Sequence, residues 1–175
     1  MTESDDTQRL HATKFIDDEV DDFLRLLQRQ DDLVPETIRF HLITESQIDR
    51  LLSRVLPRGR NLLKKARLGY FQKVHLLESL GFTDDATLLV LRVLNKVRNA
   101  CAHDRHRTIT REDVWSIGEP LGDQFNALQK EHGDSVNTLA LHVFAAVFGR
   151  LSLAVYRVEH PNPPKGGSRA SLGVL

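Results

Sequence analysis

The sequence has little cysteine, methionine, tryptophan or other aromatic residue. Among 175 residues there is one cysteine, one methionine and one tryptophan, and aromatics make up 6%. The lone thiol, Cys101, has no intrachain partner and is too little for a structural zinc site. Such sparing use of cysteine fits a reducing compartment. A charge excess is missing as well: 24 bases balance 24 acids, so bulk charge points to no class of partner. The opening stretch MTESDDTQRLHATKF is acidic and polar and holds no apolar run resembling a signal peptide. The most apolar segment, 136–158, is interrupted by Asn137, His142 and Arg150. A membrane-spanning helix wants about 20 nearly unbroken apolar residues, and a central arginine costs about 2.5 kcal/mol or more. The segment therefore reads as a core or interface helix, and the protein as cytoplasmic, with no membrane partner. Neither a glycine-rich phosphate loop nor a G-x-S-x-G elbow is present, and no cofactor is implied.

What is present is helical periodicity. The spacing predicts a first helix over 17–30, with Val20, Phe23, Leu24 and Leu27 on one face. A second runs from Pro35 to Leu56, with Ile38, Leu42, Ile48, Leu51, Leu52 and Val55 apolar, and Pro57 and Gly59 stop it. A third region, 61–80, ends at Gly81 and is open to division at Gly69. A fourth starts after Thr83 or Asp84 and reaches His103; a fifth begins at Thr110 and is kinked or split by Pro120 and Gly122. The last covers 135–159, with Phe144, Val147, Phe148, Leu151, Val155 and Tyr156 set to pack in the core or form a dimer face. The expected fold is all-α, a bundle of five to six helices. Residues 1–14 read as an acidic flexible arm, 15–159 as the helical domain, and 160–175 as a disordered Pro/Gly/Ser-rich tail.

Charge is segregated although it sums to zero. Residues 1–36 carry eleven acids against four bases, whereas between Asp49 and Glu78 there is no acid and eight bases. Two readings follow: solvated faces that attract each other, or a basic surface for phosphates that the acidic arm could shield. Only Tyr70 and Phe71 lie near enough to stack on bases, which is not the pattern of a dedicated single-strand reader.

The fourth helix holds the most suggestive residues. At about 100° per residue, Val90, Val93, Leu94, Val97 and Cys101 form a core stripe. Arg92, Asn95, Lys96, Asn99 and His103 gather opposite, without an acid. Asn99 and His103 are neighbours at i, i+4, while Arg98 stands about 140° and about 7.5 Å from His103. That separation favours a site completed by a second copy. Chemically the trio suits metal-independent RNA cleavage. A histidine exchanges a proton with the ribose 2′-OH or the leaving oxygen, an arginine stabilises phosphoryl charge, and an asparagine amide orients either. The products would be a 2′,3′-cyclic phosphate and a 5′-OH. The bland alternative is a polar helix end that satisfies backbone groups of a neighbouring loop. His103 and His106 flank Asp104 but lack a third convergent metal ligand.

The run LRVLNKVRNACAHD, preceded by LGYFQKVHLLESLGF, resembles the HEPN superfamily, especially the branch of the mannitol operon repressor family and related helical domains. In that superfamily an Arg, usually followed by a polar residue, precedes a His by four to six intervening residues; here the number is four. The resemblance spans roughly residues 30–107 and implies a HEPN-like four-helix core. Many HEPN proteins are dimeric ribonucleases acting as toxins or in phage defence, with Arg and His facing a cleft between subunits. The resemblance thus implies Arg98, Asn99 and His103 as the candidate catalytic site. On the ribonuclease reading the bases beside it, Arg92, Lys96, Arg105 and Arg107, would position RNA; the basic run after His103 reads equally as a solvated loop. It also implies a homodimer, with an antitoxin or regulatory protein as further partner. Where HEPN toxins paired with nucleotidyltransferase-type antitoxins often place a Tyr, two residues after the His, this chain has Arg105. The mannitol-repressor branch implies instead a non-catalytic transcriptional co-regulator acting through protein contacts.

Overall fold

A computed structural model describes residues 3–27, 32–104 and 106–161. The described chain is helical, with no strand among those residues: α1 Glu3–Leu27, α2 Leu33–Val55, α3 Gly59–Ala66, α4 Tyr70–Leu80, α5 Asp85–His103, α6 Arg111–Gly118, α7 Asp123–His132 and α8 Val136–Glu159. A 3-10 turn, Glu119–Leu121, joins α6 to α7. The expected third and fifth helices each divide in two, at Gly69 and at Pro120–Gly122, so six expected elements become eight helices. The starts are set by side-chain caps. Asp32 accepts from Val34 N–H, Asp84 from Thr87 N–H and Ser135 from Thr138 N–H, while Thr110 and Asp113 form a reciprocal capping box. Each such cap is worth about 1 kcal/mol. Gly81 closes α4 in the left-handed conformation at φ 66°.

The bundle is built around α8, which packs against α1, α2, α5, α6 and α7. Phe144, Val147, Phe148, Leu151, Val155 and Tyr156 are all buried, so the residues expected on its apolar face lie in the core. Four phenylalanines join three helices: Phe23 stacks on Phe148 at 4.7 Å, Phe40 on Phe144 at 4.3 Å, and Phe23 meets Phe40 edge-on. Such pairs add about 0.5–1.5 kcal/mol each beyond burial. Among the described helices α8 alone is long and apolar enough to cross a membrane, and most of its apolar stretch is enclosed by its neighbours. Two glycines permit close packing. A Cβ on Gly59 would lie 2.3 Å from the Leu52 carbonyl oxygen, and one on Gly118 would lie 2.2 Å from the Phe125 ring.

The structure departs from expectation at the N-terminus. α1 begins at Glu3 rather than near Asp17, so residues 3–14, expected as a flexible arm, are helical. The helical phase of Phe23 and Val20 continues back through Ile16, Phe15 and His11. The last two rings meet Tyr156 and His160 at the far end of α8. On α2, Leu42, one of its apolar positions, is 54% exposed. The inward face there is instead Phe40, His41, Thr44, Gln47 and Ile48, because stepping back six residues from Ile48 places Leu42 about 120° off its stripe. The tail expected over 160–175 lies outside the described residues beyond Pro161.

Candidate functional site

α5 crosses the bundle against α2, α4, α6 and α8, and its polar face changes character along its length. In the middle, Asn95 is captured by α2. His41, 4% exposed, lies against it with Nε2 3.1 Å from Asn95 Oδ1 and stacks on the Tyr70 ring at 3.9 Å between centroids. Burial lowers the His41 pKa; the Asn95 hydrogen bond opposes that shift and the charge of Arg98 adds to it. The ring is therefore neutral at pH 7, with Nε2–H donating to the amide oxygen and a buried Nδ1 left without a partner. Beneath it Thr44 donates to the His41 carbonyl at 2.9 Å, which leaves the Tyr70 hydroxyl to donate to Thr44 Oγ1, also at 2.9 Å. Burial pushes the Tyr70 phenol pKa well up. Lys73, 8% exposed, closes the cluster by reaching Glu45 at 2.8 Å and Asp49 at 2.9 Å.

One turn further along α5 the setting opens. Arg98 is half-buried and donates from Nη1 to Asn99 Oδ1 at 3.1 Å. His103, the last residue of α5, is exposed and forms no hydrogen bond, ion pair or ring contact among the described residues. Asp104 caps the helix end and its carboxylate accepts from the His106 N–H. The structure thus joins Arg98 to Asn99 and leaves His103 separate, on the same end of the helix.

Of the four residues expected to position RNA, two are held in ion pairs. Arg92 is tied across to Glu78 of α4 at 2.5 Å. Lys96 is exposed and forms no ion pair among the described residues. Arg107 folds inward, donating from Nη2 to Asp113 at 2.6 Å and lying beside Cys101, whose thiol pKa burial raises. Arg105 lies outside the described residues.

No protein-family model, curated protein or solved structure matches this chain significantly in comparison. Sequence reasoning missed the His41–Asn95–Tyr70 cluster and the Lys73 clasp. The signal was present in the phase of α2: carried back from Ile48, Leu51 and Leu52, the inward stripe passes through Thr44, His41 and Thr37, three polar residues on a core face.

Proposed function

We propose that this protein is a HEPN-like, metal-independent endoribonuclease, acting as a toxin or defence module in the cytoplasm, with its site at the C-terminal end of α5. The observation that carries the reading is the exposed, unpartnered His103 on the helix end that also holds the joined Arg98 and Asn99. In this mechanism His103 takes the proton of the ribose 2′-OH, and the 2′-oxygen attacks phosphorus. The 5′-oxygen leaves and is protonated by water or by the partner subunit's His103. Arg98 steadies the charge on the non-bridging oxygens, and Asn99 holds the guanidinium in place. Arg98 bonds Asn99 rather than His103, which supports a site completed by a second copy. The test is cleavage of labelled RNA by the purified full chain in chelator. The expected products are a 2′,3′-cyclic phosphate and a 5′-OH, and His103→Ala should lose about 10²–10⁴-fold in rate. A folded protein that leaves RNA intact in every oligomeric state overturns the reading.

A second reading draws on a specific observation. Arg92 and Arg107 are both committed to internal ion pairs, which leaves few free cations beside His103. A non-catalytic co-regulator of the mannitol operon repressor type, working through protein contacts, needs none. In that case His103→Ala changes partner binding and no turnover exists to lose.

A further inference from the structure

Residues 50–73 carry eight bases, and the fold sorts them into two groups. Three are neutralised within the bundle: Arg50 by Glu159 and Glu19, Arg54 by Glu159, and Lys73 by Glu45 and Asp49. The other five, Arg58, Arg60, Lys64, Lys65 and Arg67, lie on α3 or at its two ends. All five are exposed, and none pairs with an acid among the described residues. The α3 sequence, GRNLLKKA, contains no acid of its own. Of the eight bases, these five gather on one short helix.

Two further observations show that this is a fixed display. α3 is held to α2 by the close approach at Gly59, where a side chain would strike the Leu52 carbonyl. Its two flanking residues, Arg58 and Arg67, both adopt the left-handed conformation, at φ 59° and 47°. Glycine is the relaxed residue in that region, yet the chain carries arginine at both ends of the same helix. The helix also leads toward α5. Tyr70, three residues beyond Arg67, stacks on His41, which bonds Asn95, one turn from Arg98 and Asn99.

We propose that α3 is the surface that positions RNA for the α5 end, with the phosphates of a single strand running along its five cations. The choice of RNA rests on the nuclease reading above; the surface rests on the unpaired charges. Unpaired Lys and Arg gain affinity for a phosphate backbone through counterion release. A lipid surface fits less well, because an interfacial helix needs a broad apolar face. Leu62, at 39% exposed, is the one large apolar side chain α3 shows to solvent. At the start of α4 the Phe71 ring is 55% exposed and offers a face on which one base can stack.

The test measures binding apart from cleavage. A fluorescent 2′-O-methyl oligoribonucleotide has no free 2′-OH to attack phosphorus, so anisotropy at 50, 100 and 200 mM salt reads affinity alone. Each phosphate contact to a single strand contributes about 0.7 to the salt slope, or about five-fold in affinity at 0.1 M relative to 1 M salt. Lys64→Ala/Lys65→Ala should therefore weaken binding about 25-fold and flatten the slope by about 1.4. Arg58→Gly/Arg67→Gly should weaken it similarly while leaving the melting temperature unchanged or higher, since glycine relieves both left-handed positions. Opposite movement of stability and affinity is not expected of residues with only a structural role. Wild-type affinity and slope in both double variants overturn the proposal. Displacement by poly-glutamate at equal charge as effective as by unlabelled RNA overturns it in favour of an acidic protein. Tighter binding to phosphatidylserine vesicles overturns it in favour of a lipid surface. The two readings fail separately: oligonucleotide binding through α3 with no RNA cleavage sinks the nuclease and spares the surface. Cleavage at full rate by both double variants does the reverse.

Discussion

Asn95 and Asn99 sit one turn apart on the same face of α5, yet they belong to opposite kinds of region. Asn95 is claimed by a buried histidine that is itself stacked on a tyrosine and backed by a clasped lysine. Asn99 holds only the neighbouring guanidinium, and the next polar residue on that face, His103, is exposed. The amino-acid types on the two turns are alike; what differs is the neighbour. α2 covers the middle of α5 with His41, whereas His103 on the last turn is exposed. A polar helix face is thus a structural element where a second helix supplies matching groups, and a candidate site where none does. The closed region should answer to substitution in stability, and the open one in activity.

The largest contrast comes from the two histidines. On the proposed nuclease function, His103→Ala should reduce RNA cleavage by about 10²–10⁴-fold, equivalent to about 3–5 kcal/mol of barrier, while leaving stability within about 0.5 kcal/mol. His41→Ala should do the opposite. It empties a ring-sized space against Tyr70 and leaves the Asn95 amide without its partner, at a cost of about 2–4 kcal/mol. For a chain of this length that lowers the melting temperature by roughly 4–16 °C. Thermal unfolding and a cleavage assay on both variants decide the matter. A stable His41→Ala protein would show that the cluster is not part of the framework.

Next in size is the clasp. Lys73→Met keeps most of the side-chain volume but removes the ammonium that Glu45 and Asp49 share. Both carboxylates are partly exposed, so water takes up some of the loss, and the cost should be about 1–2 kcal/mol by urea unfolding at pH 7. Burial lowers the Lys73 pKa, but its bonds and attraction to Asp49 and Glu45 outweigh that and raise it overall. A raised lysine pKa stabilises the fold fully below the unfolded value of about 10.4 and ceases to as pH rises through the folded one. The gap between wild type and Lys73→Met should therefore be steady near neutrality and narrow in alkali. A gap that widens with alkali contradicts the assignment.

The legible parts of this protein are those where one helix alone determines the answer. Caps at Asp84, Thr110 and Ser135, the stop at Gly81 and the apolar stripe of α8 are local, and the all-helical architecture follows from them. The breaks at Gly69 and at Pro120–Gly122 were visible for the same reason. What was not legible depends on partners distant in the chain. His41 and Asn95 are 54 residues apart, and nothing in either segment alone shows that they meet. Leu42 is apolar like its helix neighbours, yet the phase set by Ile48 and Leu51 turns it to solvent. Arg107 read as a rim cation because its surroundings are basic, whereas Asp113, six residues on, draws it inward. Arg98, Asn99 and His103 were legible as residents of one helix end, but the spacing made Asn99 the neighbour of His103, whereas its amide oxygen accepts from the Arg98 guanidinium.

The smallest effect separates the two regions by pH alone. Burial lowers the His41 pKa, with the charge of Arg98 in support, so the folded ring takes up a proton less readily than the unfolded one. As pH falls below the unfolded value of about 6.5, the unfolded chain binds a proton that the folded chain does not. Stability should then decline until the folded pKa is passed. One such group contributes at most about 1.4 kcal/mol per pH unit. His142, also lowered by burial and by its stacked neighbour His132, acts in the same direction, so the wild-type profile alone cannot assign the effect. The difference between wild type and His41→Gln can, because the glutamine amide still donates toward Asn95 but does not titrate. Urea unfolding at pH 7.5, 6.5 and 5.5 should show the variant losing less stability than the wild type over that range. Parallel profiles would mean that the His41 ring takes up its proton as readily in the fold as out of it, and that the middle of α5 is as open to water as its end.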